Sequence, residues 1–410
     1  MKNIALDYVI NNVQENHEKA LSKIREKDRI KIAFFVLYFS VWKLDKVFQL
    51  MLMDSQFEPV IVVCPYMEYG KEHMLSDMNR TVDYFESKGY KTIRTYNEQT
   101  GEWFDVKKNL QPDIVFFTNP HDITKNEYYI ANYKEIPTCY VPYNFGNSHL
   151  FEMFHNQYFH NLLWKLFAET EMHKQFSIDY AYNKGVNVCV TGYPGTDIFF
   201  DTEYVPKDTW KVHPGLKKII WAPHHTIDDD KSFLSFSSFL VYADYMLRLV
   251  EKYKNSIQLT FKPHPILKSK LYKHPDWGKE KTDKYYNLWN ELETGQLEEG
   301  SYEDLFLTSD AMIHDSGSFL IEYLYLNKPV LRTDRDDSIT KRLNPFGVMA
   351  YNEHYHARTE EDIENFIKNV IAGKDEMKEE REKFRQEYLL PPNNQSASRN
   401  IFDEIKKNVR

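Results

Sequence analysis

The stretch Ser309-Asp310-Ala311-Met312-Ile313-His314-Asp315-Ser316-Gly317-Ser318-Phe319-Leu320-Ile321-Glu322 decides how this chain is read. Ala311 to Ile313 predict a short buried strand, Ser-Gly-Ser a tight turn, and Phe319 onward a helix. Strand, turn and helix in that order are the building unit of parallel α/β sheets. The N–H groups of a first helical turn favour an anion, and Gly317 lets the backbone approach it. Ser316 and Ser318 add hydroxyl donors. Glu322, four residues after Ser318, falls on the same helix face, where a carboxylate can accept from ribose hydroxyls. Taken alone, the turn reads first as an ordinary Ser-capped helix, and its surroundings shift that reading.

Outward from it, short apolar runs alternate with helical patterns along the whole chain. In the first half the predicted strands are residues 32–37, 60–64, 92–96, 114–117, 138–141 and 186–190, with helices at 41–54 and 71–88. The second half repeats the pattern: strand 218–222, helix 233–253, strands 257–261 and 311–313, helix 319–326 and strand 329–331. Residues 270–300 read as an irregular insertion with a helix near 285–292. Helices are predicted at 360–371, 375–388 and 396–409. The aromatic stretch 151–167 reads as a core helix, or alternatively as one lying at a membrane interface.

A chain of 410 residues exceeds a single ordinary core. The expected division is a helical segment at 1–30, a Rossmann-like domain at 31–205, a second at 206–375 and terminal helices at 376–410. The turn-rich run from Gly192 to Asp197 and the polar residues through 215 form the linker. With 52 Lys+Arg against 61 Asp+Glu, the net charge of −9 argues against a dedicated nucleic-acid binder. Cys64, Cys139 and Cys189 sit in apolar runs without metal-ligand spacing, as expected of a reducing compartment. Neither a signal-peptide pattern nor an apolar run of about 18 residues is present, so the expectation is cytoplasmic, with any membrane contact peripheral to the inner face.

Three predicted strands of the second half end in polar clusters containing histidine: Pro223-His224-His225, Lys262-Pro263-His264-Pro265 and His314-Asp315-Ser316-Gly317-Ser318. Ligands of open parallel sheets bind beyond such strand ends. Imidazoles can donate to a diphosphate or protonate a leaving phosphate, and Lys262 adds a cation. His224, His225, His264 and His314 lie on separate turns without zinc-ligand spacing, so no metal site is expected. The acidic runs 228–230 and 334–337, the latter containing Asp334-x-Asp336, read as solvated loops. Neither a P-loop, nor Gly-x-Gly-x-x-Gly, nor Gly-x-Ser-x-Gly occurs, which removes support for kinase, dehydrogenase and hydrolase chemistry.

Four ordered segments give the chain a family resemblance: Gly192-Tyr193-Pro194-Gly195-Thr196-Asp197, Trp221 to His225, Phe261 to Pro265, and Ser309 to Ser318 followed by Asn327-Lys328-Pro329-Val330. Together they resemble the CDP-glycerol glycerophosphotransferase family of teichoic-acid polymerases and primases and their capsule relatives. The resemblance implies an α/β GT-B fold, two Rossmann-like domains facing each other across a cleft, the second holding a CDP-activated donor. It implies transfer of a polyol phosphate to a glycan or lipid-linked glycan, with CDP-polyol as substrate and without a cofactor or required divalent metal. Carried over, His264 contacts the donor diphosphate and assists the leaving group, Ser316 and Ser318 bind phosphate, and Asp315 stands at the family's Asp; Pro223, His224, His225, Lys262, His314, Gly317 and Glu322, read from the strand ends, complete the expected donor site, with His224, His314 and Gly317 departing from the family's pattern. Gly192, Pro194 and Asp197 mark the domain junction. The family's Trp-His-Gly base has no counterpart at Pro142 to Gly146, which leaves His121 and His149 as substitute bases. A nucleotide-sugar transferase on the same fold and a degenerate nucleotide-binding scaffold remain alternatives.

Overall fold

A computed structural model of the protein describes residues 4–211, 215–227 and 236–410. The acidic run 228–230, residues 233–235 of an expected helix and linker residues 212–214 lie outside these. The chain divides into two compact units. Unit 1 comprises Met1–Gly146, Phe151–Asp197 and Pro391–Arg410, and unit 2 comprises Asn147–Leu150 and Ile198–Leu390. The boundary falls at Asp197, before the expected 205, and the terminal segment is divided, its last part joining unit 1.

Unit 1 is built on seven parallel strands: β1 (Ile30–Val36), β2 (Phe57–Val63), β3 (Thr92–Arg94), β4 (Ile114–Phe117), β5 (Thr138–Tyr140), β6 (Lys165–Ala168) and β7 (Val188–Val190). Their order is β3-β2-β1-β4-β5-β6-β7. The strands read as apolar runs because both faces of the sheet are covered. Ile32, Phe34 and Val36 pack with Val47, Phe48 and Ile405 on one face, while Ala33 and Phe35 meet Val115, Tyr128 and Tyr133 on the other. That is the period-2 alternation of a strand buried on both sides.

The Gly192–Asp197 motif has a clear structural task in this unit. Both carboxylate oxygens of Asp197 accept backbone N–H groups, from Ala397 and Ser398, each at 2.8 Å. They cap the helix Ala397–Asn408, whose Phe402 and Ile405 enter the core. Gly192 has φ +85°, and a Cβ there would approach Pro391 to 2.8 Å, so only glycine fits beneath the returning chain. Pro194 is buried beside them.

Stretch 151–167 is not one helix. It forms helices Phe151–His155 and Tyr158–Leu162, and then β6. Gln157 and Leu163 are extended, with ψ of 156° and 142°, and the Asn156 and Asn161 side-chain oxygens accept the backbone N–H groups of Tyr182 and Asn183. Among the described residues, no helix is long and apolar enough to cross a membrane.

Unit 2 carries six parallel strands: β8 (Lys217–Ala222), β9 (Ile257–Phe261), β10 (Gly295–Leu297), β11 (Ala311–His314), β12 (Val330–Thr333) and β13 (Tyr355–Ala357). The order β10-β9-β8-β11-β12-β13 reverses direction between β8 and β11. The segment 270–300 is regular rather than an irregular insertion: helix Leu267–Lys273, helix Gly278–Glu291 and β10. Its Tyr285, Tyr286 and Trp289 recur at helical spacing and are buried, with Trp289 stacking on Trp221 and Phe261 at 5.6 and 5.2 Å.

Candidate functional site

Register brings three strand ends of unit 2 side by side. Trp221 pairs with Phe261 and Ala222 with His314, so Pro223-His224-His225, Lys262-Pro263-His264 and Asp315-Ser316-Gly317-Ser318 leave the sheet together. They do so where the strand order reverses, the place where parallel sheets open a crevice.

Asp315 holds the arrangement from below. It is buried, and its carboxylate accepts the N–H of His224, the N–H of Ser238 at 2.6 Å and the Ser238 hydroxyl at 2.9 Å. Burial pushes its pKa up to about 6 against the opposing effect of these donors. Ser238 bonds onward to the Thr333 hydroxyl at 2.6 Å. Arg332, also buried, donates to the carbonyls of Ser316 and Asp315 at 2.9 and 3.3 Å and to Asp334 at 3.1 Å. The turn is thus fixed from the β12 side as well.

Three imidazoles gather above. Ring centroids lie 4.3 Å apart for His224 and His225, 4.3 Å for His225 and His264, and 5.1 Å for His224 and His264. Burial, followed by the neighbouring histidine His225, depresses His264 to about 3 and pushes His224 well below its ordinary value. The Ile266 N–H donates to His264 Nδ1 at 3.2 Å, so neutral His264 carries its proton on Nε2. The Lys262 ammonium, buried and lowered in pKa by desolvation, donates to the Gly300 carbonyl at 2.6 Å. Phe236 packs on His224 and Arg332 at 5.7 and 5.6 Å.

The Ser-Gly-Ser turn differs in detail from the cradle read in the sequence. The Ser316 N–H donates to His314 Nδ1 at 3.1 Å and is consumed there. Among the described residues, the Gly317 and Ser318 amides pair with nothing. The α-helix after them is only Phe319–Glu322, continued as a 3-10 turn, and Ser318 makes no side-chain cap. Glu322 is 3% exposed, which removes it from the face a ribose would meet. His314 is fully buried and serves the turn from behind. A Cβ on Gly317 would meet the Phe236 ring at 3.4 Å, an ordinary contact, so glycine is not enforced there.

Other expected residues lie elsewhere. His121 belongs to unit 1, half-buried after β4, with Tyr143 and Gln157 at 3.4 and 3.5 Å from its ring nitrogens. His149 belongs to unit 2, where Nδ1–H donates to the Arg342 carbonyl at 2.8 Å. In the same segment, Asn147 donates to the Gly317 carbonyl at 2.6 Å, a contact that sequence distance concealed. Asp334 of the acidic run is buried among Arg332, Tyr351 and His356, whereas Asp336 is exposed and accepts the Ser338 N–H at 2.7 Å. The pair is structural. Ser238, Thr333 and Arg332 were missed because serine, threonine and arginine in apolar surroundings announce no particular chemistry; only a cation inside the strand Val330–Thr333 hinted at a buried partner.

Two Rossmann-like units, with a polar rim at the order reversal of the second, define a GT-B fold. The wall teichoic acid polymerase TagF has this fold, aligning at TM-score 0.58 and 13% identity over 100% of this chain and 95% of that one. So does the UDP-GlcNAc 2-epimerase from Neisseria meningitidis bound to UDP-GlcNAc, at TM-score 0.60 and 17% identity over 92% and 100%. Residues 152–407 match the family described as CDP-Glycerol:Poly(glycerophosphate) glycerophosphotransferase, and the chain belongs to it. The teichoic acid ribitol-phosphate polymerase TarL of Staphylococcus aureus is 26% identical over 194 residues, 45% of this chain and 31% of that protein. The chain therefore matches about a third of that relative's length.

Proposed function

We propose that this protein is a transferase that moves a polyol phosphate from a CDP-activated donor to a hydroxyl of a cell-surface or capsular glycan precursor. The observation that carries this reading is the convergence of His224, His225, Lys262, His264 and the 315–318 turn at the order reversal of the unit 2 sheet. In the reaction the acceptor oxygen attacks the polyol-bearing phosphorus, and CMP leaves with the bonding electron pair. Negative charge grows on the leaving phosphate, and fixed donors aimed at it are the main electrostatic requirement. His264 Nε2–H, the Lys262 ammonium and the Gly317 and Ser318 amides are donors of this kind.

The nitrogens of His224, His225 and His264 lie within 4.8 Å of one another, a spacing that also suits one metal ion. Besides burial, Lys270 and Arg332 disfavour the protonated form of His224, and Lys262 and Lys270 that of His264, so both imidazoles are held neutral. An acceptor carried on a lipid would bring the protein peripherally to the inner face of the plasma membrane.

Thermal unfolding with CDP, CDP-glycerol, CDP-ribitol and UDP-GlcNAc tests the proposal, since a ligand that binds only the folded state raises the midpoint. The CDP compounds are expected to raise it and UDP-GlcNAc to leave it unchanged. A rise with UDP-GlcNAc alone would replace this reading with that of a nucleotide-sugar transferase.

A further inference from the structure

Among the described residues, one group of side chains has its ligand atoms close enough to share a metal ion: His224, His225 and His264 of unit 2, all within 4.8 Å of one another. In sequence they are an adjacent pair and a third histidine on a separate turn, which is no zinc-motif spacing. Strand register supplies what spacing does not. Trp221 pairs with Phe261, so the turns after β8 and β9 leave the sheet together, and the His264 N–H donates to the Pro223 carbonyl at 3.1 Å between them. Pro223 and Pro263, both buried, stiffen these turns. The backbone thus holds the three rings at centroid distances of 4.3 to 5.1 Å.

A ligating imidazole commonly donates its second ring nitrogen to an outer partner that fixes tautomer and orientation. His224 has such a partner in the Thr226 hydroxyl, 2.9 Å from Nδ1, and that hydroxyl is itself held by the Phe236 N–H at 2.9 Å. With Nδ1–H donating there, Nε2 of His224 presents its lone pair. At His264, ligation through either nitrogen releases the Ile266 N–H from Nδ1, a single bond of 3.2 Å on the exposed side of the turn. Two neighbouring cations are engaged elsewhere, Lys262 by the Gly300 carbonyl and Arg332 by Asp334 and the carbonyls of Asp315 and Ser316. Beneath the cluster, the Asp315 carboxylate accepts the His224 N–H and sets a negative charge there.

We propose that His224, His225 and His264 form a three-histidine site for a divalent transition metal of the zinc class, with Thr226 positioning His224. Imidazole nitrogens suit Zn2+, Ni2+ and Cu2+, whereas Mg2+ prefers oxygen ligands. Three imidazoles leave a fourth tetrahedral position for an exchangeable ligand. No step of the transfer described above runs through the ion. Its binding needs neither donor nor turnover, so the site stands or falls apart from the transferase reading.

The untagged chain, stripped of metal with a chelator, should bind a single Zn2+ in calorimetry. Co2+ should give the visible d–d absorption of a nitrogen-ligated tetrahedral ion, which Zn2+ bleaches and Mg2+ leaves unchanged. Thr226→Val, which removes the outer partner of His224, should weaken Zn2+ binding about 10–100-fold. His225→Ala and the closer-sized His225→Gln each remove a ligand and should weaken it by more than about 100-fold, with circular dichroism unchanged. Absence of Zn2+ and Co2+ binding to the wild type overturns the inference. So does wild-type affinity in both His225 variants, which would place the ion on other surface histidines, and so does displacement of Co2+ by Mg2+.

Discussion

Acidification should destabilise unit 1 through its buried histidines, and His160→Phe should remove a measurable part of that effect. His160 packs against Phe159 and Tyr140 at 5.5 and 6.1 Å, and desolvation lowers its pKa from 6.5 to about 3. The folded value lies below the unfolded one, so the unfolded chain binds more protons below pH 6.5, and stability falls as pH drops from there. Between pH 8 and pH 5, the unfolded imidazole becomes almost fully protonated while the folded one stays neutral, a difference of about 2 kcal/mol from this residue. A phenylalanine fits the same aromatic wall and does not titrate. Native-state hydrogen exchange of unit 1 amides at pH 5 and pH 8, corrected for intrinsic rates, reads the quantity unit by unit. Stability lost between the two pH values should be about 2 kcal/mol smaller in His160→Phe than in wild type. Equal losses would refute the reasoning that burial keeps this imidazole neutral.

Asp197→Ala removes the acceptor of two N–H groups of the last helix. It should cost about 1–2 kcal/mol and speed exchange of amides 397–408 without affecting unit 2. The Lys328 ammonium, held at about 8 by burial, donates to the carbonyls of Phe306, Leu307 and Ser309. Lys328→Met should lower the stability of unit 2 by about 1–3 kcal/mol in urea unfolding, because it strands these acceptors at the end of the helix Glu303–Thr308. Gly317→Ala places a methyl at ordinary contact distance from Phe236, so CDP affinity by calorimetry should change less than about threefold; a much larger loss would show that the turn must be free of a Cβ.

Much of this molecule was legible in its sequence, for reasons that also explain the gaps. Long apolar runs such as Ile30–Val36 and Ile257–Phe261 declare strands buried on both faces, and their polar ends locate the rim. Strands β6 and β10 fall within stretches that read as a helix (151–167) and an insertion (270–300), and β13 is an edge strand with a polar, exposed centre at His356. Helix Gly278–Glu291 was partly hidden because its buried stripe of tyrosine and tryptophan lies among lysines and glutamates. His224, His225, Lys262 and His264 come together because strand register aligns their turns, and register follows from apolar pattern. The support beneath them, Asp315 to Ser238 to Thr333, depends on residues 77 and 95 positions apart in sequence. Nothing in local composition reports such contacts. His149 was expected beside the first domain's loops and instead bonds to Arg342, because residues 147–150 leave unit 1 for unit 2.

In the proposed reaction a CDP-linked polyol phosphate is transferred and CMP is the nucleotide released. Phosphorus NMR of the reaction of CDP-ribitol or CDP-glycerol with a polyol-phosphate acceptor resolves this directly, because a monophosphate and a diphosphate give separate resonances. The CMP signal should grow together with a new phosphodiester, and both should be lost in His264→Ala. Release of an intact nucleoside diphosphate from a nucleotide sugar, with CDP-polyols unchanged, would contradict it.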